Sequence, residues 1–295
     1  MPSPDPREQP VRYRCRHVTR YDYGEDVPVS HHLVHLRPRP HPRQRCQAFS
    51  LEVGPVPAVT ADHDDFFGNP ATYIAVQEPH RELIIGAESV VEVFPSPPLD
   101  PHATPSWKAL VGAPGDPAAV TQFLFDSALV QVAPDMVDYA APSFCDERPI
   151  AVAALDLMER IHRDFTFDAT ATTVATPLDE VLVNRRGVCQ DFAHVLIGCL
   201  RAQGLAARYV SGYLRTLPPP GQPRLVGADV SHAWVSVWCG GENWLDLCPT
   251  NGRIVDQDYI TVAWGRDYDD VSPVRGVILG GAGHGLTVEV DVQEV

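Results

Sequence analysis

The chain has 295 residues, of which 44% are hydrophobic and 21% are charged, and its formal net charge at pH 7 is −15. This length and composition are typical of a folded protein with one large domain or two ordinary ones. The negative charge argues against nucleic acid as a partner, because that binding depends on Lys and Arg side chains that contact phosphates.

The sequence gives no sign of a membrane span or of a metal centre. It has no run of eighteen uncharged apolar residues and no apolar signal segment at its start, so we predict a cytoplasmic protein without a membrane partner. Its seven cysteines include no Cys-x-x-Cys pair, which favours free thiols. The crowded His31, His32 and His35 are an alternative metal site, but strand alternation puts His32 on the opposite face. We predict no cofactor and leave the oligomeric state open.

The first third of the chain alternates with a period of two between Val11 and Phe94, as in Phe49, Leu51 and Val53. This pattern predicts short strands in a β-sandwich or open barrel. A proline-rich stretch follows and cannot continue a strand. We therefore predict an N-terminal β-rich domain over 1–95, a linker over 96–110 and a catalytic core with a C-terminal strand over 111–295.

Helical signals begin after the linker. Asp116-Pro117 is a predicted helix start, and a helix over 150–165 has Val152, Leu155, Met158 and Ile161 as its predicted apolar stripe. Thr176-Pro-Leu-Asp179 is typical of a capping box that opens a short helix. From Cys189 the apolar positions follow helical spacing until Gly204, which is expected to end that helix.

Strand-like runs complete the core at 206–214, 232–238 and 244–248. The tail alternates through Leu286, Val288, Val290 and Val292, which predicts another strand. The pattern leaves open which sheet this last strand joins.

Cys189 is the candidate nucleophile because it opens the predicted helix. Unpaired N–H groups and the helix dipole at that position stabilise a thiolate, and Arg185 and Arg186 add positive charge. The alternative is that Cys189 is a small buried residue, as we expect of Cys199 on the apolar stripe of the same helix.

His232 is the candidate base. Alternation over 232–238 puts His232, Trp234, Ser236 and Trp238 on one strand face, where the backbone would hold the imidazole rigidly beside a tryptophan. A single strand histidine is more often an ordinary hydrogen-bonded residue, so the position alone proves little.

Three separated motifs together resemble the core of the bacterial transglutaminase-like family. They are Gly187-Val-Cys-Gln-Asp-Phe-Ala193, Ser231-His-Ala-Trp-Val235 and Trp244-Leu-Asp-Leu-Cys-Pro-Thr-Asn-Gly252. Further matches to the N-terminal β-domain of one branch are the alternating His17, Thr19, Tyr21 and Tyr23 and the segment Asp65-Phe-Phe-Gly-Asn69. The resemblance implies an α+β protein, with an N-terminal β-sandwich-like domain before a papain-like transglutaminase core and a Cys–His–Asp triad.

The sequence departs from the family at the third triad position. Cys248 stands where the family has Asp, and a thiol is a weaker acceptor for the histidine than a carboxylate. Asp246, two residues earlier on the same face, is the alternative third member or a solvated strand residue. Gln190 and Trp234 are candidate neighbours of the reacting carbonyl, with the Cys189 N–H as an oxyanion donor.

These residues predict acyl transfer from a carboxamide or peptide carbonyl through a thioester on Cys189. A transglutaminase, an amidase and a cysteine peptidase share these steps, so the expected partners are a protein or peptide substrate and, for a transferase, an amine acceptor. The alternative from another class is a non-catalytic or weakly active papain-like binding module, whose triad is degraded at Cys248.

Overall fold

A computed structural model describes residues 9–96, 99–113, 118–216 and 230–295. The strands are β1 (Val11–Val27), β2 (Val29–Val34), β3 (Gln44–Gly54), β4 (Val59–Asp64), β5 (Pro70–Val76), β6 (His80–Val93), β7 (Thr166–Phe167), β8 (Arg186–Gly187), β9 (Ala207–Leu214), β10 (Val230–Trp238), β11 (Trp244–Cys248), β12 (Arg253–Ile254), β13 (Tyr259–Gly265), β14 (Val274–Leu279) and β15 (His284–Glu294). The helices are α1 (Ala118–Thr121), α2 (Pro134–Ala140), α3 (Ile150–Asp164), α4 (Leu178–Asn184), α5 (Cys189–Ala202) and α6 (Tyr268–Val271). Asp116 and Pro117, the predicted helix start, lie outside the described residues.

The N-terminal strands form two four-stranded antiparallel sheets, in the orders β15-β1-β6-β3 and β14-β2-β5-β4. In β1, buried and exposed side chains alternate, so that one face of the strand packs on the core. Tyr13 and Cys15 are buried, whereas Arg12, Arg14 and Arg16 are exposed. The predicted β-sandwich-like fold is confirmed.

Both ends of the chain belong to these sheets. Strand β15 pairs with β1 over eleven residue pairs, and β14 pairs with β2. The tail strand, for which the sequence pattern left the choice of sheet open, therefore pairs with the N-terminal sheet, and its buried Val290 and Val292 share a core with Tyr13. The division at 1–95, 96–110 and 111–295 remains a proposal, with these two strands returning to the first unit.

The second unit is a five-stranded antiparallel sheet, in the order β12-β11-β10-β9-β13, against which α5 packs. Almost every residue of α5 is buried, and α2, α3 and α4 contact it. Gly204, with φ +74°, follows the end of α5 as predicted. This mixed architecture confirms the predicted α+β fold with a papain-like core.

Two local predictions need correction. In α3, Met158 and Ile161 are buried as predicted and the half-buried Leu155 packs against the core, but Val152 is only half-buried and the buried face also includes Ala153, Ala154 and Leu157. Helix α4 begins at Leu178 without a side-chain cap, because the Thr176 hydroxyl instead accepts a bond from the Thr173 N–H.

Side-chain amides join the two units along β13, the edge strand of the core sheet. The Asn69 amide accepts from the Trp264 N–H at 2.9 Å and donates to the Trp264 carbonyl at 2.8 Å. The Gln44 amide likewise accepts from the Thr261 N–H at 2.8 Å and donates to the Thr261 carbonyl at 2.7 Å. Both amides are buried, so they satisfy edge groups that water cannot reach.

Candidate active site

Cys189 is the first residue of α5, at the end of a short turn that the Asp191 carboxylate holds in place. The Oδ2 atom of Asp191 accepts from the Val188 N–H at 2.7 Å and from the Thr172 hydroxyl at 2.6 Å. The first turn of the helix, which carries the half-buried Cys189, is therefore fixed by hydrogen bonds.

Gly187 is required here by close packing. A Cβ atom on this residue would lie 2.4 Å from Asp191 Oδ2, whereas the left-handed backbone of the turn occurs two residues earlier at Arg185, with φ +52°. The positive charges of Arg185 and Arg186, which we expected beside Cys189, have other partners. Arg186 pairs with Asp168 at 2.7 Å, and the Arg185 guanidinium lies 5.8 Å from the ring centre of Tyr139.

His232 lies in β10, paired with Gly212 of β9, and only 6% of its surface is exposed. Its Nε2 atom is 3.1 Å from the Sγ atom of Cys248, which is fully buried at the end of β11. The structure therefore brings His232 together with the residue at the family's third triad position.

The Cys248 thiol has polar surroundings on its other side. It contacts the Tyr259 hydroxyl, and backbone hydrogen bonds from Asn251 and Thr250 favour its ionised form. Arg253 Nε donates to the Tyr259 hydroxyl at 3.1 Å. Burial outweighs these contacts and raises the pKa of Cys248, so the third position is uncharged at neutral pH.

Burial shifts the pKa values of both Cys189 and His232. Burial raises the pKa of Cys189 to about 11, although backbone hydrogen bonds from Ala233 and Gln190 oppose it. Burial, with the charge of Arg253, lowers the pKa of His232 to about 4. Both shifts favour a neutral thiol and a neutral imidazole over the expected thiolate, because desolvation disfavours both charged forms.

Asp246 is not beside the histidine. In the register of β10 with β11 it pairs with Ser236, four residues from His232, which is roughly 13 Å along the strand. Its carboxylate instead lies 3.9 Å from Arg43 Nη1. The alternative assignment of Asp246 as third member is not supported by this register.

Gln190 and Trp234 occupy different environments. Gln190 lines the cavity that contains Cys189. Trp234 of β10 is fully buried. Its ring packs on Gly212 of β9 and meets the Tyr259 ring edge-on, with 5.4 Å between the ring centroids. Gln190 therefore remains a candidate neighbour of the substrate, whereas Trp234 is not among the residues that line the cavity and its ring centre lies 6.4 Å from that of His232.

The cavity at Cys189 has a volume of about 360 Å³ and lies between the two units of the chain. One wall is α5 and the core strands, including Ser211 and Ser231, and the opposite wall is β1 and β15. The sequence motifs of the core gave no indication of this second wall. The signal was the alternation of His17, Thr19 and Tyr21, which places all three side chains on one face of β1.

The three clustered histidines do not converge. His31 Nδ1 bonds the Tyr73 hydroxyl at 2.6 Å, and His35 Nε2 lies 3.2 Å from Asp65. His32 faces Gly276, whose absent side chain leaves room for the ring. In the described ranges no group of three His, Cys, Asp or Glu side chains is arranged to hold a metal ion. Within the same ranges, no helix has both the length and the apolar character needed to cross a membrane.

Comparison with known proteins identifies relatives along almost the whole chain. A family model described as the bacterial transglutaminase-like N-terminal region matches residues 13–92, and one described as the transglutaminase-like superfamily matches residues 142–249. An uncharacterized protein of Mycobacterium tuberculosis is 46% identical over 291 residues, which cover 95% of this chain and 92% of the relative. An uncharacterized protein of Mycobacterium leprae is 33% identical over 291 residues, which cover 95% of this chain and 98% of that protein.

Two further similarities are more distant. A protein-glutamine gamma-glutamyltransferase of Pseudomonas aeruginosa is 35% identical over 106 residues, which cover 35% of this chain and 16% of the relative. A solved structure of a Cytophaga hutchinsonii protein superimposes with a TM-score of 0.77 at 19% identity, covering 97% of this chain and 91% of the other. This last similarity concerns the fold alone.

Proposed function

We propose that this chain, which belongs to the transglutaminase-like superfamily, transfers acyl groups from a carboxamide or peptide carbonyl through a thioester on Cys189. The observation that carries the proposal is the placement of Cys189, which opens α5, lines the cavity and receives a backbone hydrogen bond from Ala233, the residue after His232. The nucleophile and the histidine strand are thus adjacent at one end of the cavity.

His232 acts as the base in this proposal. With Nε2 bonded to Cys248, Nδ1 is the ring nitrogen that is available to take the Cys189 proton as sulfur attacks the carbonyl carbon. The imidazolium then protonates the departing amine or ammonia, and a thioester remains. Water or a second amine, deprotonated by His232, attacks the thioester and restores the thiol.

Cys248 positions the base. A proton on Nε2, donated toward the sulfur, leaves Nδ1 unprotonated, which is the tautomer that the reaction needs. The neutral thiol stabilises the imidazolium less than a carboxylate does, so we expect slower turnover than an Asp at this position allows.

The developing oxyanion has donors at the start of the helix. The Cys189 N–H is one of the unpaired donors of the first turn, and Gln190 lies beside it at the cavity. The Pseudomonas aeruginosa relative supports an amide as the acyl donor. Both water and an amine remain acceptors in the proposal.

A second candidate function is a binding module that has lost most of its catalytic power. The neutral Cys189–His232 pair and the cysteine at the third position favour it, because neither supplies a ready thiolate. In this case the cavity would bind a peptide without turning it over.

The test is a comparison of the wild type with Cys189→Ser and Cys145→Ser, which changes an exposed thiol. Glutamine-containing peptides are supplied with and without a fluorescent primary amine, and ammonia release, amine incorporation and peptide cleavage are measured. We expect turnover and a Cys189-linked acyl adduct in the wild type and Cys145→Ser, and neither in Cys189→Ser. Equal residual rates in all three proteins would establish the binding-module alternative.

A further inference from the structure

Strand β15 has an open edge beside the Cys189 cavity. The bonds Val295 N–H to Arg12 carbonyl, at 2.9 Å, and Gly24 N–H to Gly283 carbonyl, at 3.1 Å, fix the pairing at both ends of the ladder with β1. Because hydrogen-bonded pairs alternate in an antiparallel ladder, the odd-numbered residues of β15 face β1. The N–H and C=O groups of Leu286 and Val288 therefore point to the other edge, where no strand pairs within the described residues.

The side chains at this edge are apolar and accessible. Leu286 is 55% exposed and Val288 is 47% exposed. Natural edge strands usually carry charges, prolines or bulges that prevent pairing with another chain. The charged Glu289 and Asp291 of β15 lie, by strand alternation, on the face opposite to Leu286 and Val288. An accessible edge with two apolar side chains is therefore suited to a chain that adds a strand.

The same edge is continuous with the nucleophile. Leu286, Val288 and Cys189 all line the 360 Å³ cavity. No Asp, Glu, Lys or Arg is among the described residues that line it, and burial lowers the pKa of His17 in its wall to about 4, which keeps that ring neutral. The cavity thus offers apolar contact and neutral hydrogen-bonding groups, such as the hydroxyls of Ser211 and Ser231.

We propose that the open edge of β15 binds the acyl-donor substrate as an added β-strand. The substrate is an extended, uncharged peptide segment, with alternate apolar side chains on Leu286 and Val288 and its amide presented to Cys189. Backbone bonds to Leu286 and Val288 supply affinity without a defined sequence, and the apolar wall selects the flanking residues. This inference rests on the proposed role of Cys189 as nucleophile.

The probe for this proposal is a pentapeptide of four valines with a central residue that bears a chloroacetamide group. Alkylation of Cys189 forms a carbon–sulfur bond, releases chloride and transfers the thiol proton to solvent. The second-order rate of Cys189 labelling in the full chain is measured by mass spectrometry and divided by the rate with chloroacetamide alone. We expect the pentapeptide to label Cys189 at least tenfold faster than the small reagent.

Two perturbations test the strand pairing. Each valine amide is N-methylated in turn, and methylation lowers the rate ratio roughly threefold to tenfold at the positions whose N–H bonds β15. Val288→Pro removes an outward N–H and lowers the ratio similarly, whereas Val288→Ala keeps the N–H and serves as the matched control for the lost side chain. The methylated peptides are tested on the unmodified protein, so their result remains decisive even if the proline variant misfolds.

The outcomes separate this inference from the proposed function. Efficient Cys189 labelling by the pentapeptide that is insensitive to N-methylation at every valine, tested one at a time, overturns the edge-strand proposal alone. Replacement of two valines by lysine or aspartate without a loss of rate contradicts the uncharged-substrate part. Failure of both reagents to prefer Cys189 over the exposed Cys145 contradicts the nucleophile itself.

Discussion

The His232 imidazole is hydrogen-bonded through Nε2 to the Cys248 thiol at 3.1 Å, in a buried site where the family has a carboxylate. The interaction keeps the ring oriented but brings no negative charge, since burial raises the pKa of Cys248. Orientation and electrostatic support of the base, which a single Asp provides in the family, are therefore separated in this chain.

Cys248→Asp is expected to raise the rate of acyl transfer by about tenfold to a thousandfold, because a carboxylate stabilises the imidazolium formed in the reaction. The Tyr259 hydroxyl and the backbone at Thr250 and Asn251 are already placed to bond an anion. Single-turnover acylation of Cys189 measures the effect, and Cys248→Ser, which stays neutral, is the matched control. An Asp variant no faster than the Ser variant would show that charge at this position does not limit the reaction.

The pH dependence of kcat/KM should reflect the pKa values of His232 and Cys189, both of which react in their neutral forms. His232 accepts a proton only in its neutral form, which predominates above its pKa of about 4, and the Cys189 proton is retained below a pKa of about 11. We therefore expect activity to rise through pH 4 and stay level across neutrality, as far as the protein remains folded. An ascending limb near pH 8 to 9, measured with an uncharged amide substrate, would indicate instead that a solvent-like thiolate forms without His232.

Gly187→Ala should destabilise the turn before Cys189 by about 1 to 3 kcal/mol, because the new Cβ displaces the buried Asp191 carboxylate and breaks its bond to the Val188 N–H. Urea unfolding monitored by tryptophan fluorescence gives the change in free energy. Gly86→Ala is the control, since its Cβ would lie 4.0 Å from the nearest atom, and it should cost less. Equal decreases in the free energy of unfolding for the two variants would mean that the structure accommodates a Cβ atom at position 187 without losing the Asp191 hydrogen bonds.

Asn69→Ala should lower the free energy of unfolding by about 2 to 4 kcal/mol, because two backbone groups of Trp264 lose their partners in a buried junction. Asn243→Ala, which removes one exposed bond to the Gly240 carbonyl, is expected to cost under about 1 kcal/mol. The two denaturation midpoints are compared under the same conditions. A similarly small decrease in the free energy of unfolding for both variants would show that the N–H and C=O groups of Trp264 find other hydrogen-bond partners.

Much of the local structure was predictable because it depends on short-range periodicity. The helical spacing after Cys189 and the alternation around His232 predicted α5 and β10, and Gly204 ends the helix as expected. The predicted apolar stripe of α3 was partly wrong, because Val152 is only half-buried whereas the neighbouring Ala153 and Ala154 are buried. Residue size decides packing only once the neighbouring helix is known.

The sequence by itself determined the nucleophile and base candidates, Cys189 and His232, since each has a local motif and a local backbone context. Only the tertiary structure decided that Cys248, rather than Asp246, meets the histidine, because this depends on the register between β10 and β11. It also decided that β15 returns to β1 and forms the far wall of the cavity. Tertiary packing also decides the pKa shifts of Cys189 and His232, since the burial that raises the first and lowers the second arises from segments that are distant in the chain.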